Sequence, residues 1–208
     1  MNAPRTLNVG AVLFEGFELL DLFGPLEMFG LLGDAAHLTM IASAAGKVAS
    51  SCGPRAVAET EMADCNGFDV LLIPGGIGTR KVMKDPCFLS DLMRISESSE
   101  TIATVCTGSL LLAMTGLLDG RKATTNKRVF REVAFHAPRV DWIAKARWVE
   151  DGKYLTSSGI SAGMDMTLAL IAKRFGRETS VEIARRAEYL WQEDGSSDPF
   201  AVPDETVT

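Results

Sequence analysis

Short apolar runs rich in β-branched residues alternate along the chain with stretches of helical periodicity. The runs are LNVGAVLF at 7–14, HLTMIA at 37–42, DVLLIP at 69–74 and TIATVC at 101–106. Such runs predict strands buried on both faces of a parallel sheet. The helical stretches are ELLDLFGPLEMFGLL, CFLSDLMRIS, SLLLAMTGLL, RVFREVAF and MDMTLALIAKRF. This alternation predicts an α/β fold: a doubly wound, mostly parallel sheet with helices on both faces and a ligand site at its carboxyl edge.

Three segments depart from this rhythm. Gly24 and Pro25 fall inside the first helical stretch, and because proline cannot donate a backbone hydrogen bond we expect a break or kink there. Residues 47–59 and 146–159 alternate polar and apolar positions, and the second of them contains the pair Asp151-Gly152, which predicts a hairpin. We expect both segments to be small antiparallel additions to the main sheet.

Length and composition favour a single domain. The chain has 208 residues, of which 47% are hydrophobic and 23% are charged, as is usual for a globular protein with one core. We place this domain at residues 1–192. Residues 193–208 are acidic, contain serine and proline, and have almost no apolar periodicity, so we expect them to form a loose C-terminal tail.

Charge and cysteine usage exclude several classes of partner. The net charge is −6 without a run of Lys and Arg, which argues against nucleic acid. The apolar run at 7–14 is too short to cross a bilayer and lacks a signal-cleavage pattern, so we expect no membrane partner. Four cysteines without a CxxC pair, and only His37 and His136 as histidines, predict neither a metal site nor disulfides. Free thiols fit a reducing, cytoplasmic location.

Cys106 is the main candidate for chemistry. It ends the run TIATV and precedes Thr107, Gly108 and a strongly helical stretch, which places it at the turn between a central strand and the next helix. The amides and positive dipole end of a helix N-terminus favour a thiolate. Gly108 would let the backbone turn sharply behind the sulfur. The alternative is that Cys106 is only a small buried side chain.

Two further features fall near the same edge of the sheet. Gly75 and Gly76 follow the preceding central strand after Pro74, and their bare amides could form the other half of an oxyanion cradle; the alternative is an ordinary turn. Asp21 lies on an otherwise apolar helix face. If it is buried beside Cys106, desolvation raises its pKa and lets it share a proton with the sulfur; the alternative is a solvated or capping carboxylate.

The two histidines are not placed to assist Cys106. His37 begins a predicted strand, and His136 ends a predicted helix before Ala137-Pro138. We interpret both as structural residues. Hydrolysis through a Cys-His dyad is therefore disfavoured.

Four segments in this order resemble the ThiJ/PfpI superfamily: LFEGFELLDLFGPLEMF, LLIPGG, VCTGSLLLAMTGLLDGRKATTN and SSGISAGMD. The resemblance spans about residues 7 to 190. The combination of LLDLFGP and VCTGS is similar to the isocyanide hydratase branch and to the ligand-like domains of certain AraC-type regulators. Because the chain ends soon after a helix at 180–190, leaving no room for helix-turn-helix pairs, we expect the enzyme rather than the regulator.

The resemblance implies a flavodoxin-like, class I glutamine-amidotransferase-like fold and a homodimer with the active site near the subunit interface. It makes Cys106 the nucleophile, Asp21 the acid/base and Thr107 their neighbour. The implied pocket or oxyanion residues are Gly75, Gly76, Ile77, Gly108 and Asn126. At Asn126 many relatives have histidine; an asparagine can donate a hydrogen bond but cannot shuttle protons at neutral pH.

The implied activity is that of a hydro-lyase that hydrates isocyanides to N-substituted formamides through Cys106, with no metal or organic cofactor. The substrate is then a small molecule. Two alternatives stay open at this point. One is glyoxalase-like or deglycase-like action on α-oxoaldehydes, and the other is a non-catalytic redox or stress sensor based on oxidation of Cys106.

Overall fold

The computed structural model describes residues 6–201. Its strands are β1 (Leu7–Val12), β2 (Ala36–Ala42), β3 (Gly46–Ala49), β4 (Arg55–Ala58), β5 (Thr60–Glu61), β6 (Val70–Ile73), β7 (Thr101–Val105), β8 (Lys122–Ala123), β9 (Asp141–Trp142), β10 (Trp148–Asp151) and β11 (Tyr154–Ser157). The helices are α1 (Leu19–Gly30), α2 (Thr79–Val82), α3 (Pro86–Ser98), α4 (Gly108–Met114), α5 (Phe130–His136), α6 (Ala162–Phe175) and α7 (Arg177–Arg186). None of these helices is long and apolar enough to cross a membrane.

Seven strands form the main sheet in the order β10-β11-β7-β6-β1-β2-β5. All neighbouring pairs are parallel except β10 with β11. The predicted doubly wound, mostly parallel sheet is confirmed. From β1 the chain continues to β2 and β5 on one side of the sheet and to β6, β7, β11 and β10 on the other. The strand order therefore reverses between β1 and β6, and such sheets bind ligands at the carboxyl ends of the strands at this point.

The two segments that were predicted to be antiparallel differ in how they pair with the main sheet. β3 and β4 form a separate two-stranded antiparallel sheet, as expected. The predicted hairpin around Asp151-Gly152 is confirmed: β10 and β11 pair antiparallel, and β11 joins the hairpin to the main sheet by pairing in parallel with β7. The alternation seen in the sequence identified the hairpin turn and not the strand that it joins.

The expected break at Gly24-Pro25 does not occur. Helix α1 is continuous from Leu19 to Gly30 with Pro25 inside it. Pro25 removes one backbone donor, which leaves the carbonyl of Asp21 without its usual helical partner. Gly24 packs closely on Met164 of α6, since a Cβ on Gly24 would lie 2.9 Å from Met164 Cγ.

The segment after Glu193 is not loose where the structure describes it. The Asp198 N–H donates to the carbonyl of Lys145 at 2.8 Å, and the carbonyl of Gly195 accepts from the Arg147 N–H at 2.8 Å. Asp198 is buried, with its carboxylate 3.5 Å from the Arg147 guanidinium. The expectation of a loose tail is therefore wrong for residues 193 to 201, while residues 202 to 208 lie outside the described part of the chain.

The strands that carry the candidate site are fully buried. Every residue of β6 and β7 is buried, and the two strands pair in parallel from Val70 and Thr101 onward. Their carboxyl ends meet closely, because a Cβ on Gly108 would lie only 2.2 Å from the Ile73 carbonyl oxygen. Only glycine allows α4 to begin so near the end of β6, and this brings Cys106 and the Gly75-Gly76 loop together.

Candidate active site

Cys106 lies at the turn between β7 and α4 in a strained backbone conformation. Its φ of +58° falls in the left-handed region that non-glycine residues rarely adopt. Backbone hydrogen bonds hold it there: its N–H donates to the carbonyls of Ser157 and Ser158, each at 3.2 Å. Its carbonyl accepts from the hydroxyls of Ser109 and Thr125, each at 3.0 Å. Such strain persists only where the surroundings impose it, and it is concentrated at functional sites.

Asn126 contacts the sulfur directly. Its Nδ2 donates to Cys106 Sγ at 2.9 Å, and its Oδ1 accepts from the Arg128 N–H at 2.8 Å. Because the Arg128 amide can only donate, the oxygen of the Asn126 amide faces Arg128 and the nitrogen faces the sulfur. Gly159 leaves space for this orientation, since a Cβ there would lie 2.4 Å from Nδ2.

Asp21 is fully buried on α1 beside Cys106. Its Oδ2 accepts from the Gly75 N–H at 3.0 Å, and its Oδ1 has no hydrogen-bond partner among the described residues. Burial raises the pKa of Asp21 to about 7, although the Gly75 amide and the Cys106 thiol act in the opposite direction. The alternative of a solvated or capping carboxylate is thereby excluded.

The Cys106 thiol is not a free thiolate at rest. Burial and then the negative charge of Asp21 raise its pKa to about 12, although hydrogen bonds from Asn126 and from the Thr107 amide lower it. The N-terminus of α4 was expected to favour the thiolate. Burial of the sulfur outweighs this effect, because α4 has only seven residues. At neutral pH the two acids therefore hold between one and two protons, which Asp21 and Cys106 share as a pair.

The glycine loop does not offer the bare amides that the sequence suggested. The Gly75 N–H is bonded to Asp21, and the Gly76 N–H donates to Thr107 Oγ1 at 3.1 Å. The loop instead fixes the two acids, since a Cβ on Gly75 would lie 2.6 Å from the Thr107 nitrogen and 2.9 Å from Asp21 Oδ2. The Ile77 N–H is the one backbone donor of this loop that has no acceptor among the described residues, so it remains available to a ligand.

Thr107 ties the two strand ends together. Its Oγ1 accepts from the Gly76 N–H and lies 3.3 Å from the hydroxyl of Thr79. Its backbone amide donates toward the sulfur, which lowers the thiol pKa. In the structure Thr107 thus holds the loop with its side chain and contacts the sulfur with its backbone.

A cavity of about 310 Å³ opens beside the sulfur. Five predicted residues line it: Gly76, Ile77, Cys106, Thr107 and Asn126. Asp21, Gly75 and Gly108 are not part of the lining. Neither histidine lines the cavity, and residues 6–201 contain no cluster of three or more His, Cys, Asp or Glu side chains suited to a metal ion.

Sequence reasoning missed several residues that line this cavity. Glu18 lies one helical turn before Asp21, which was a usable signal. Arg80, Arg128 and Ile160 come from segments distant in the chain, and nothing in their local sequence marks them. Ile160, like Cys106, has a positive φ, here +45°, so two strained residues face one cavity.

The fold and site define an α/β protein with a flavodoxin-like sheet and a cysteine at the strand-to-helix turn. The chain belongs to the DJ-1/PfpI family, whose characteristic pattern matches residues 8–173. It is similar to a ThiJ/PfpI family protein of known structure from Pseudomonas syringae, with a TM-score of 0.83 and 26% identity over 97% of this chain and 83% of that one.

Two relatives indicate the range of proteins in which this domain occurs. An isonitrile hydratase of Pseudomonas putida is 34% identical over 207 residues, covering 96% of this chain and 88% of that protein. The transcriptional regulator GbdR of Pseudomonas aeruginosa is 29% identical over 188 residues, covering 88% of this chain and 50% of the regulator. The first is similar along most of its length, whereas the second carries a large region that this chain does not match.

Proposed function

We propose that the protein hydrates isocyanides to N-substituted formamides. The observation that carries the proposal is the buried Asp21 carboxyl beside Cys106, with a pKa of about 7 and one oxygen that has no hydrogen-bond partner among residues 6–201. Adding a thiol to an isocyanide carbon consumes the thiol proton, so a cysteine that keeps its proton beside a base is suited to this reaction. The similarity to an isonitrile hydratase supports the same chemistry.

In the first step, ionised Asp21 accepts the proton of Cys106. The sulfur forms a bond to the terminal carbon of R-NC, and Asp21 returns the proton to that carbon. The product is a thioimidate, R-N=CH-S, bonded to Cys106, and Asp21 is ionised again. Asn126 and the Thr107 amide stabilise the transient thiolate with hydrogen bonds.

In the second step, water attacks the thioimidate carbon. Asp21 accepts a proton from the water and passes it to the nitrogen, so that the tetrahedral intermediate is R-NH-CH(OH)-S and Asp21 is ionised again. Asp21 then accepts the hydroxyl proton as the C–S bond breaks and R-NH-CHO is released, and it passes this proton to the sulfur. The sum is R-NC plus water to the formamide, with no oxidant, reductant or cofactor.

The alternatives use the same cysteine and differ in what they require. Addition to an α-oxoaldehyde would leave a negative oxygen, for which the Ile77 amide is the remaining donor of the loop. A sensor would depend on a resting thiolate, because oxidation follows the thiolate fraction, and the raised pKa of Cys106 keeps that fraction low. The aldehyde reaction has one loop donor for its oxyanion, and the sensor has little resting thiolate, so we rank both below isocyanide hydration.

We further propose that the protein is a cytoplasmic homodimer. The four free cysteines fit a reducing compartment, and the family resemblance implies a dimer with the site near the interface. Sedimentation velocity tests the assembly directly: a single species of twice the 22.4 kDa chain mass supports it, and a stable monomer contradicts it.

The decisive experiment measures hydration of p-nitrophenyl isocyanide by the purified protein in isotopically labelled water. We expect turnover with the label in the formyl oxygen, and we expect Cys106→Ala and Asp21→Asn to lose it. Cys87→Ala is a matched control, because Cys87 is exposed and does not line the cavity. No turnover by the intact protein would overturn the proposal; methylglyoxal turnover, or a Cys106 peptide heavier by two oxygens, would identify the alternative.

A further inference from the structure

A second cavity of about 480 Å³ adjoins the one that contains the sulfur. The two share three lining residues, Asn126, Arg128 and Ile160. Whereas the cavity at Cys106 has mixed polar and apolar walls, the surface of the second is mostly apolar. A ligand bonded to the sulfur can therefore extend past Asn126 into apolar surroundings without leaving the protein.

We propose that this adjoining cavity, which we call the substituent subsite, binds the N-substituent of the substrate and selects ring-sized, uncharged apolar groups. The inference rests on the proposed function, because the isocyanide carbon must be at Cys106 for its substituent to reach the subsite. The two volumes fall within the range of small-molecule sites, which are mostly apolar with a few polar groups that orient the ligand. In this arrangement the polar groups lie at the reacting end.

Phe200 supplies the aromatic wall of the substituent subsite. It is 71% exposed, and an aromatic ring that remains this open offers a face for an apolar ligand to cover. Its position is fixed by the backbone, because its N–H donates to Asp198 Oδ1 at 2.9 Å. Asp198 is in turn buried against Arg147.

The charges around the substituent subsite favour a neutral ligand. Lys127 contributes to the lining, but its ammonium group points into the protein, where it donates to Thr124 Oγ1 and to the carbonyl of Ala146, each at 2.6 Å. The remaining cation, Arg128, stands where the two cavities meet. Beyond the shared residues, the lining is completed by Phe200 and the small residues Ser158, Gly159 and Ser161.

The test compares p-nitrophenyl isocyanide with methyl isocyanide as substrates of the full chain. We expect Phe200→Ala to lower the ratio of their kcat/KM values, aryl over methyl, by about tenfold, since the loss of an apolar contact of this size changes discrimination by that order. Phe135→Ala is the matched control, because Phe135 is 82% exposed and lines neither cavity. An unchanged ratio in Phe200→Ala overturns the proposal.

A binding measurement separates failure of the subsite from failure of the proposed reaction. Calorimetric titration of Cys106→Ala with N-phenylformamide and N-methylformamide should show a preference for the phenyl compound that Phe200→Ala, made in the same background, reduces. This preference supports the subsite even if no isocyanide is turned over. Equal binding of both formamides overturns it, as does a change in sedimentation of Phe200→Ala without a change in binding, which would make this surface an interface between copies.

Discussion

The side-chain amide of Asn126 holds the sulfur of Cys106 at 2.9 Å while its own oxygen is held by the Arg128 amide. Asn126 can therefore stabilise a thiolate but cannot accept its proton. A histidine at this position could do both near neutral pH. In the proposed mechanism the proton leaves through Asp21, so the two roles that one histidine could combine are divided between two residues.

Removing the Asn126 donor should make the thiol less acidic. We expect Asn126→Ala to slow alkylation of Cys106 by iodoacetamide by roughly tenfold, because hydrogen bonds to charged groups contribute about 1.5–3 kcal/mol. Asn126→Asp should slow it further, since it replaces a donor by a negative charge. Peptide mass spectrometry in a background with Cys52 and Cys87, both exposed, changed to serine gives the rate at Cys106. Equal rates in all three proteins would contradict the role of Asn126.

The pH dependence of activity should follow Asp21. When the pH is below the Asp21 pKa of about 7, both Asp21 and Cys106 are protonated, so no base is available to the thiol. We expect kcat/KM to rise about tenfold per pH unit on approaching about pH 7 from below and then to level off. Asp21→Asn should lower activity by a factor of about 10²–10⁴ and abolish this rise. A wild-type profile without an inflection near neutrality would exclude Asp21 as the base.

The same pKa shift has an opposite consequence for stability. Asp21 has a raised pKa in the folded protein, from 3.8 to about 7, so the native state keeps a proton that the unfolded chain releases in this interval. The free energy of unfolding contributed by this group therefore falls as the pH rises through that range. Urea unfolding at about pH 5 and about pH 8 should show a smaller decrease for Asp21→Asn than for the wild type; equal decreases would mean that Asp21 is not desolvated.

A methyl group on Gly75 should disable the site without unfolding the protein. Its Cβ would lie 2.6 Å from the Thr107 nitrogen and 2.9 Å from Asp21 Oδ2, so Gly75→Ala must displace both. We expect kcat/KM to fall by at least about a hundredfold, as displacements of about 1 Å in reacting groups do. Gly30→Ala is the control, because its Cβ would meet nothing closer than Leu38 Cδ1 at 3.8 Å. Comparable activity of the two variants would contradict this role of Gly75.

The buried Arg147 should be the costliest charged residue to replace. Its guanidinium lies 2.5 Å from Asp165, and it also faces buried Asp198. Arg147→Met leaves these carboxylates without their cation, and we expect a loss of about 3–5 kcal/mol in the free energy of unfolding. Lys173→Met, which breaks an exposed pair with Glu150, should cost less than about 1 kcal/mol. Urea unfolding distinguishes them, and equal losses would contradict the cluster's role.

The sequence was sufficient for features that depend on local pattern. Apolar runs located four strands of the main sheet, β1, β2, β6 and β7, and the position of Cys106 at the end of β7 followed from them. The burial of Asp21 was foreseen as one of two alternatives. Its apolar neighbours on α1 carried that signal, because a carboxylate flanked by core positions must be desolvated if the helix packs.

Features that depend on packing between distant segments could not be predicted. Asn126 was named only through the family resemblance, and its contact with Cys106, across 20 positions of the chain, follows from no local pattern. The amides of Gly75 and Gly76 are occupied by partners on α1 and at the start of α4. The segment around Asp198 reads as polar and irregular, yet Arg147 binds it. In each case the partner is determined by the fold and leaves no periodic pattern in the sequence.

The left-handed backbone conformation of Cys106 implies a conflict between the stability of the fold and the proposed chemistry. A β-carbon in this conformation costs about 1–2 kcal/mol, which glycine avoids. Cys106→Gly should therefore unfold at a higher denaturant concentration than Cys106→Ala, the reverse of the usual order for these two residues in regular structure. The chain gives up part of its folding free energy at the position of the sulfur, so evolution toward greater robustness alone would remove the residue on which the proposed chemistry depends.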